Sequence, residues 1–131
     1  MELTLTHIDV MIANLKSHIR RLAIIIGGLF KSDRRSRVIF YHDVTVNFQY
    51  TSMSTPLDLF KAHIQTIKEL GFNIVPRITQ PMDQIQICFD DGFKGIWDCR
   101  QYFIDNGIRP TVFIADSLIG QDGYLNLAQI R

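Results

Sequence analysis

Apolar positions change period several times along the chain. Ile8, Met11, Ile12, Leu15, Ile19, Leu22 and Ile26 recur at helical spacing and predict an N-terminal amphipathic helix. After the basic stretch Lys31 to Arg37, Val38-Ile39-Phe40-Tyr41 is β-branched and aromatic, which predicts a short buried strand that ends on the polar pair His42-Asp43. Asn47 to Ser54 reads as a polar loop. Thr55-Pro56-Leu57-Asp58 then has the form of a helix start, with Thr55 as N-cap, proline at the first helical position and an acid two residues on. Phe60, Ile64, Ile67 and Leu70 line one face of that helix, and Gly71 stops it.

Phe72 to Val75 is a second strand, ended by Pro76, and Gln84 to Phe89 a third that runs straight into Asp90-Asp91-Gly92. A helix is expected from Lys94 to Asp105, with Ile96, Trp97, Phe103 and Ile104 as its apolar face and Asn106-Gly107 as its stop. Thr111 to Ala115 is a fourth strand. A turn-rich loop over Gly120 to Leu125 leads into the opening of a further helix at Asn126 to Arg131. Strands alternating with helices at these intervals imply βα units, and hence an α/β fold with a mainly parallel sheet. The chain divides into residues 1–36, helix and basic linker, and residues 37–131, one α/β domain.

Composition changes this picture little. At 47% hydrophobic and 21% charged the chain can bury a core, and a net charge of +1 gives no reason to expect nucleic acid as a partner. The longest apolar run, Leu22 to Phe30, falls short of the ~20 residues that a membrane-spanning helix needs. Arg20 and Arg21 precede it as in a signal peptide, but Lys31-Ser32-Asp33-Arg34-Arg35 offers no small-x-small cleavage site. Cytoplasmic and cell-envelope locations both stay open. The apolar face within residues 8–30 suits packing on the domain or contact with a membrane surface. Cys88 and Cys99 fit no two-residue metal or redox spacing and are expected to be free, buried thiols.

The chemistry concentrates at Asp90 and Asp91. Parallel α/β folds place their functional loops at the C-terminal ends of strands, where these carboxylates lie. Adjacent strand residues point to opposite sides, so a bend at Gly92 is expected to let the two take different roles. Two carboxylates facing one cavity repel each other, and a divalent cation relieves that repulsion. As a bare tripeptide, Asp-Asp-Gly also suits a simple polar turn.

The wider sequence favours chemistry. Gln86-Ile-Cys-Phe-Asp-Asp-Gly-Phe93, followed by Ile104-Asp-Asn-Gly-Ile-Arg-Pro-Thr-Val-Phe-Ile-Ala115 and by Leu118-Ile-Gly120, resembles the polysaccharide deacetylase or NodB-homology family, carbohydrate esterase family four. Phe40-Tyr41-His42-Asp43 extends the resemblance upstream, so that it covers roughly Arg37 to Arg131. It implies a partial, distorted (β/α) barrel, an acetylated amino-sugar glycan as substrate, and hydrolysis of its N-acetyl or O-acetyl groups with a divalent metal, commonly zinc. By the same resemblance Asp90 is the general base and Asp91 a metal ligand.

Two departures qualify that expectation. The family draws two further metal ligands from His-x-x-x-His, whereas His7, His18, His42 and His63 include no pair four positions apart. A complete (β/α) barrel also takes about 200 residues or more. His42 is the candidate for an additional contact with metal or substrate, with a hydrogen-bonded structural histidine as the alternative. His63 is expected in the core or an interface, and Trp97 in the core, with stacking on a sugar as the alternative for its ring. The chain is therefore expected to be part of a longer or split product, or to associate with a copy of itself or a completing chain. The alternative is a non-catalytic remnant that binds glycan or a partner. A signalling receiver domain also has about this length, a parallel sheet and an acidic pair at a strand end, but here the pair lies at position 90, the first strand ends on no acidic pair, and no strand-end lysine near the C-terminus completes a phosphoacceptor pocket.

Overall fold

A computed structural model describes residues 33–131; the helix expected over residues 8–26, and any membrane contact by residues 8–30, lie outside them. Arg34–Arg131 forms a compact unit. Its strands are β1 (Arg37–Tyr41), β2 (Asp43–Thr45), β3 (Ser54–Pro56), β4 (Asn73–Val75), β5 (Gln84–Phe89) and β6 (Thr111–Val112). Its helices are α1 (Leu57–Glu69), α2 (Gly95–Asp98), α3 (Arg100–Asp105) and α4 (Leu127–Ile130), with a 3₁₀ turn at Asp116–Leu118.

β5 is the centre of a four-stranded parallel sheet. β1 runs along one edge of it, from Arg37 opposite Ile85 to Tyr41 opposite Phe89. β4 and β6 share the other edge, β4 taking Gln84 to Gln86 and β6 taking Cys88 and Phe89. β2 and β3 form a separate parallel pair. The sheet is thus parallel, as the alternation of elements implied; closure into a barrel is not seen among the described residues.

Period-2 alternation sends Ile85, Ile87 and Phe89 of β5 toward the helices. There they meet Phe60, Ile64 and Ile67 of α1 and Phe103 of α3, all buried, with Ile39, Tyr41 and Ile74 packed around them. Phe60 anchors this core through edge-on contacts with Tyr41 at 4.9 Å and Phe103 at 5.7 Å between ring centroids. Such contacts add to the burial energy of each ring.

Three local expectations need correction. Thr55 does not cap α1: it lies in β3 opposite Val44, and Pro56 takes the N-cap position in extended conformation. The helix expected over 94–105 is two short ones, broken at Cys99, whose thiol donates to Val44 O at 3.5 Å and ties the break to β2. Its predicted face also divides, with Ile96 and Phe103 buried and Ile104 67% exposed. The strand expected over 111–115 pairs only at Thr111 and Val112, because β5 ends at Phe89 and offers no further partner. By contrast, α4 starts where its sequence suggests, with a reciprocal capping box between Asn126 and Gln129.

Arg34, part of the basic linker in the sequence, is a structural clamp. Its guanidinium pairs with Asp83, donates to Leu70 O at 2.9 Å and Gly71 O at 3.0 Å, and lies over the Phe72 ring. It thereby satisfies carbonyls at the C-terminus of α1, where positive charge is favoured. Among the described residues no helix is long and apolar enough to cross a membrane.

Candidate active site

β5 delivers the acidic pair to the C-terminal edge of the sheet. Asp90 N donates to Tyr41 O at 2.9 Å, so the ladder with β1 continues one residue past the strand. The chain then leaves the sheet earlier than expected: Asp91, with φ of 67°, is already left-handed, and Gly92 follows at 74°. Aspartate is one of the few side chains that tolerates this region, at a cost of roughly 1–2 kcal/mol. A Cβ at position 92 would also come within 2.9 Å of Ile114 Cδ1, so the second left-handed position suits glycine on both counts.

The turn is held from outside. Leu125 N donates to Gly92 O at 2.9 Å, Lys94 N donates to Gly123 O at 2.8 Å, and the Phe93 and Tyr124 rings stack at 4.7 Å. Both aspartates are half-buried, and neither carboxylate makes a hydrogen bond or ion pair with a described residue.

His42 is half-buried at the bend between β1 and β2, on the same sheet edge, and its ring likewise makes no hydrogen bond with a described residue. Nor does His42 complete a metal centre, since no three His, Cys, Asp or Glu side chains among the described residues are grouped so as to hold a metal ion. A catalytic zinc takes three protein ligands and a water. The described residues do not fit such a site on their own.

The functional neighbour that the sequence did not single out is Asp43. It is fully buried, accepts from Ser54 Oγ at 2.7 Å through Oδ2, and leaves Oδ1 without a partner. Gly95 packs directly on it; any Cβ there would overlap Asp43 Oδ1 and Val44 O. Burial raises the pKa of this carboxyl, and the nearby Asp98 charge adds to the effect, while hydrogen bonds from Ser54 and the backbone oppose it. A polar residue at a strand end was legible, but nothing in the sequence marked it as enclosed.

Cys88 and Cys99 are free and buried. Burial, followed by the charges of Asp43 and Asp98, pushes the Cys99 thiol up to about 11, so it is no nucleophile at neutral pH. Expectations of a core position fail for His63, which is exposed, with Nδ1 3.1 Å from the Tyr41 hydroxyl and its ring stacked on Tyr41. Trp97 is half-buried beneath the Arg100 guanidinium and lines an apolar groove of about 400 Å³ beside α3 and α4.

No family profile matches the sequence, and no curated protein matches it. Solved structures do. A de-N-acetylase from Aggregatibacter actinomycetemcomitans aligns with a TM-score of 0.62 at 17% identity, over 74% of this chain and 49% of that one. IcaB from Ammonifex degensii aligns with 0.62 at 18%, over 74% and 47%. A polysaccharide deacetylase from Bacillus cereus aligns with 0.58 at 16%, over 74% and 34%. The chain therefore has the fold of part of the polysaccharide deacetylases, and spans about half the length of the first two.

Proposed function

We propose that this chain carries the first part of a carbohydrate deacetylase site acting on an acetylated amino-sugar glycan. The observation that carries the reading is the acidic pair: two half-buried carboxylates without partners among the described residues, on a turn pinned by backbone hydrogen bonds at the C-terminal edge of a parallel sheet. In this reading Asp90 is the general base that takes the proton of the water attacking the acetyl carbonyl. Asp91 offers one donor to a divalent metal, zinc being the one implied by the family resemblance. The remaining donors come from outside the described residues, supplied by a further segment, a second copy or a completing chain.

The absence of further donors among the described residues favours one alternative, a half domain that binds glycan or a partner without catalysis. Acetate release from an acetylated glucosamine oligomer, with and without added zinc, separates the two. The deacetylase reading expects zinc-dependent release that Asp90→Asn abolishes, together with zinc affinity that Asp91→Ala removes. No release and no zinc affinity in the full chain would leave the binding half domain.

A further inference from the structure

The loop joining β2 to β3 presents aromatic side chains to solvent on a fixed backbone. Phe48 is 65% exposed, although exposure of so large a ring is costly unless something covers it. It is held in place nonetheless: Thr45 Oγ1 donates to Phe48 O, and the ring stands edge-on to Tyr50 at 4.9 Å. Tyr50 in turn is fixed at both ends. Its hydroxyl donates to Asp98 Oδ2 at 2.9 Å, and its ring atom Cδ1 lies 3.3 Å from where a Cβ on Gly123 would stand. Farther along the loop, Ser54 N donates to Thr51 O at 3.1 Å and Ser54 Oγ is bound by the buried Asp43.

Gly123 also lines a small recess of about 210 Å³ with Lys94, Asp122 and Tyr124. The ammonium, carboxylate and phenol of these three make no hydrogen bond or ion pair with a described residue. Tyr124 stacks on Phe93, two residues beyond Asp91, so the recess adjoins the turn that carries the acidic pair. An exposed, pre-ordered ring linked through Tyr50 and Gly123 to a recess whose donors and acceptors have no partner among the described residues matches the two kinds of surface that a glycan offers, apolar C–H faces and equatorial hydroxyl and amide groups.

We propose that Phe48, supported by Tyr50, and the recess formed by Lys94, Asp122 and Tyr124 make a subsite for a short stretch of a glycan chain. The inference rests on the carbohydrate reading above and adds to it the residues that grip the chain away from the reacting acetyl group. Tyr50 is a positioning residue here, acting through Phe48.

Titration of the full chain with a short N-acetylglucosamine oligomer, followed by calorimetry and amide chemical shifts, tests it. The expected result is shift changes over residues 46–50 and 120–124, an affinity about three- to tenfold lower for Phe48→Ala, and affinity retained in Phe48→Tyr. Asp122→Asn is expected to weaken binding less. Binding that Phe48→Ala leaves unchanged would overturn the subsite while sparing the carbohydrate reading. No binding by the parent chain would overturn both. Phe48-dependent binding without acetate release would keep the subsite and reject the catalytic role.

Discussion

The two faces of the parallel sheet are built from alternate residues of the same strands, yet they are finished differently. On one face Ile85, Ile87 and Phe89 are 4% exposed or less, sealed by α1 and α3. On the other, Val38, Phe40 and Phe113 are 42%, 55% and 51% exposed, and Gln86 and Thr111 bond to each other at 3.1 Å. Phe40 and Phe113 stack at 6.2 Å with little else over them among the described residues. One face holds the domain together; the other is closed over β5 at Gln84 and Cys88 and open at Val38, Phe40 and Phe113. Contiguous exposed apolar patches, when large, mark contact surfaces.

The sharpest way to break this contrast is to truncate matched aromatics. Phe89→Ala is expected to cost about 3–5 kcal/mol in denaturant unfolding, because Phe89 is fully buried between Tyr41, Phe60 and Phe103. Phe40→Ala, on the opposite face of the adjacent strand, is expected to cost below about 1 kcal/mol. Equal losses at the two positions would mean that the open face is covered as thoroughly as the other.

Smaller effects belong to the rim where the sheet meets its loops. Gly95→Ala drives a methyl into Asp43 and Val44 O, both fixed parts of β2, and is expected to destabilise by roughly 1–3 kcal/mol. Arg34→Ala removes the clamp on the C-terminus of α1. Its partly exposed bonds set the expected loss at about 1–2 kcal/mol, read as a lower midpoint in urea at unchanged slope. A substitution to lysine should recover only part of this, since an ammonium cannot hold the guanidinium's fork of contacts to Asp83, Leu70 O and Gly71 O.

Much of this was readable before any coordinates. The apolar run within Gln84–Phe89 and the 3–4 spacing of Phe60, Ile64 and Ile67 locate β5 and α1: β5 is buried on both faces as the central strand of a parallel sheet, with only Gln86 partly exposed, and α1 buries the three residues that share one face. What could not be read depends on contacts distant in sequence. Cys99 breaks a helix because Val44, fifty-five residues earlier, receives its thiol. Arg34 looks like one basic residue among several until Asp83 and the end of α1 come beside it. The acidic pair was visible as a motif, but the early turn at Asp91 was not, since a left-handed aspartate leaves no mark in hydrophobic pattern.

The mildest prediction concerns Asp43, where the rim buries a charge. A carboxyl that ionises less readily in the fold than in the unfolded chain makes the fold hold its proton more tightly. Its contribution to stability is therefore fully present in acid, below the ordinary carboxylate range near 3.9, and is lost as pH rises through the raised value. Once ionised, Asp43 is an enclosed anion with one oxygen unpaired among the described residues and Asp98 nearby, while Ser54 and the backbone offset part of the cost. Asp43→Asn keeps an acceptor for Ser54 and removes the charge, so at pH 7 it should equal or exceed the parent in stability by on the order of 1 kcal/mol. The difference should shrink as pH falls toward 3, because the parent becomes neutral there too. Tyr50 and Cys99, the other titrating groups facing Asp43, ionise too far above this range to mimic the effect, which leaves Asp98 to be checked with Asp98→Asn. A parent-minus-variant difference that stays flat between pH 3 and 7 would show that Asp43 is solvated in the native state, and that the rim is as open as the uncovered face of the sheet.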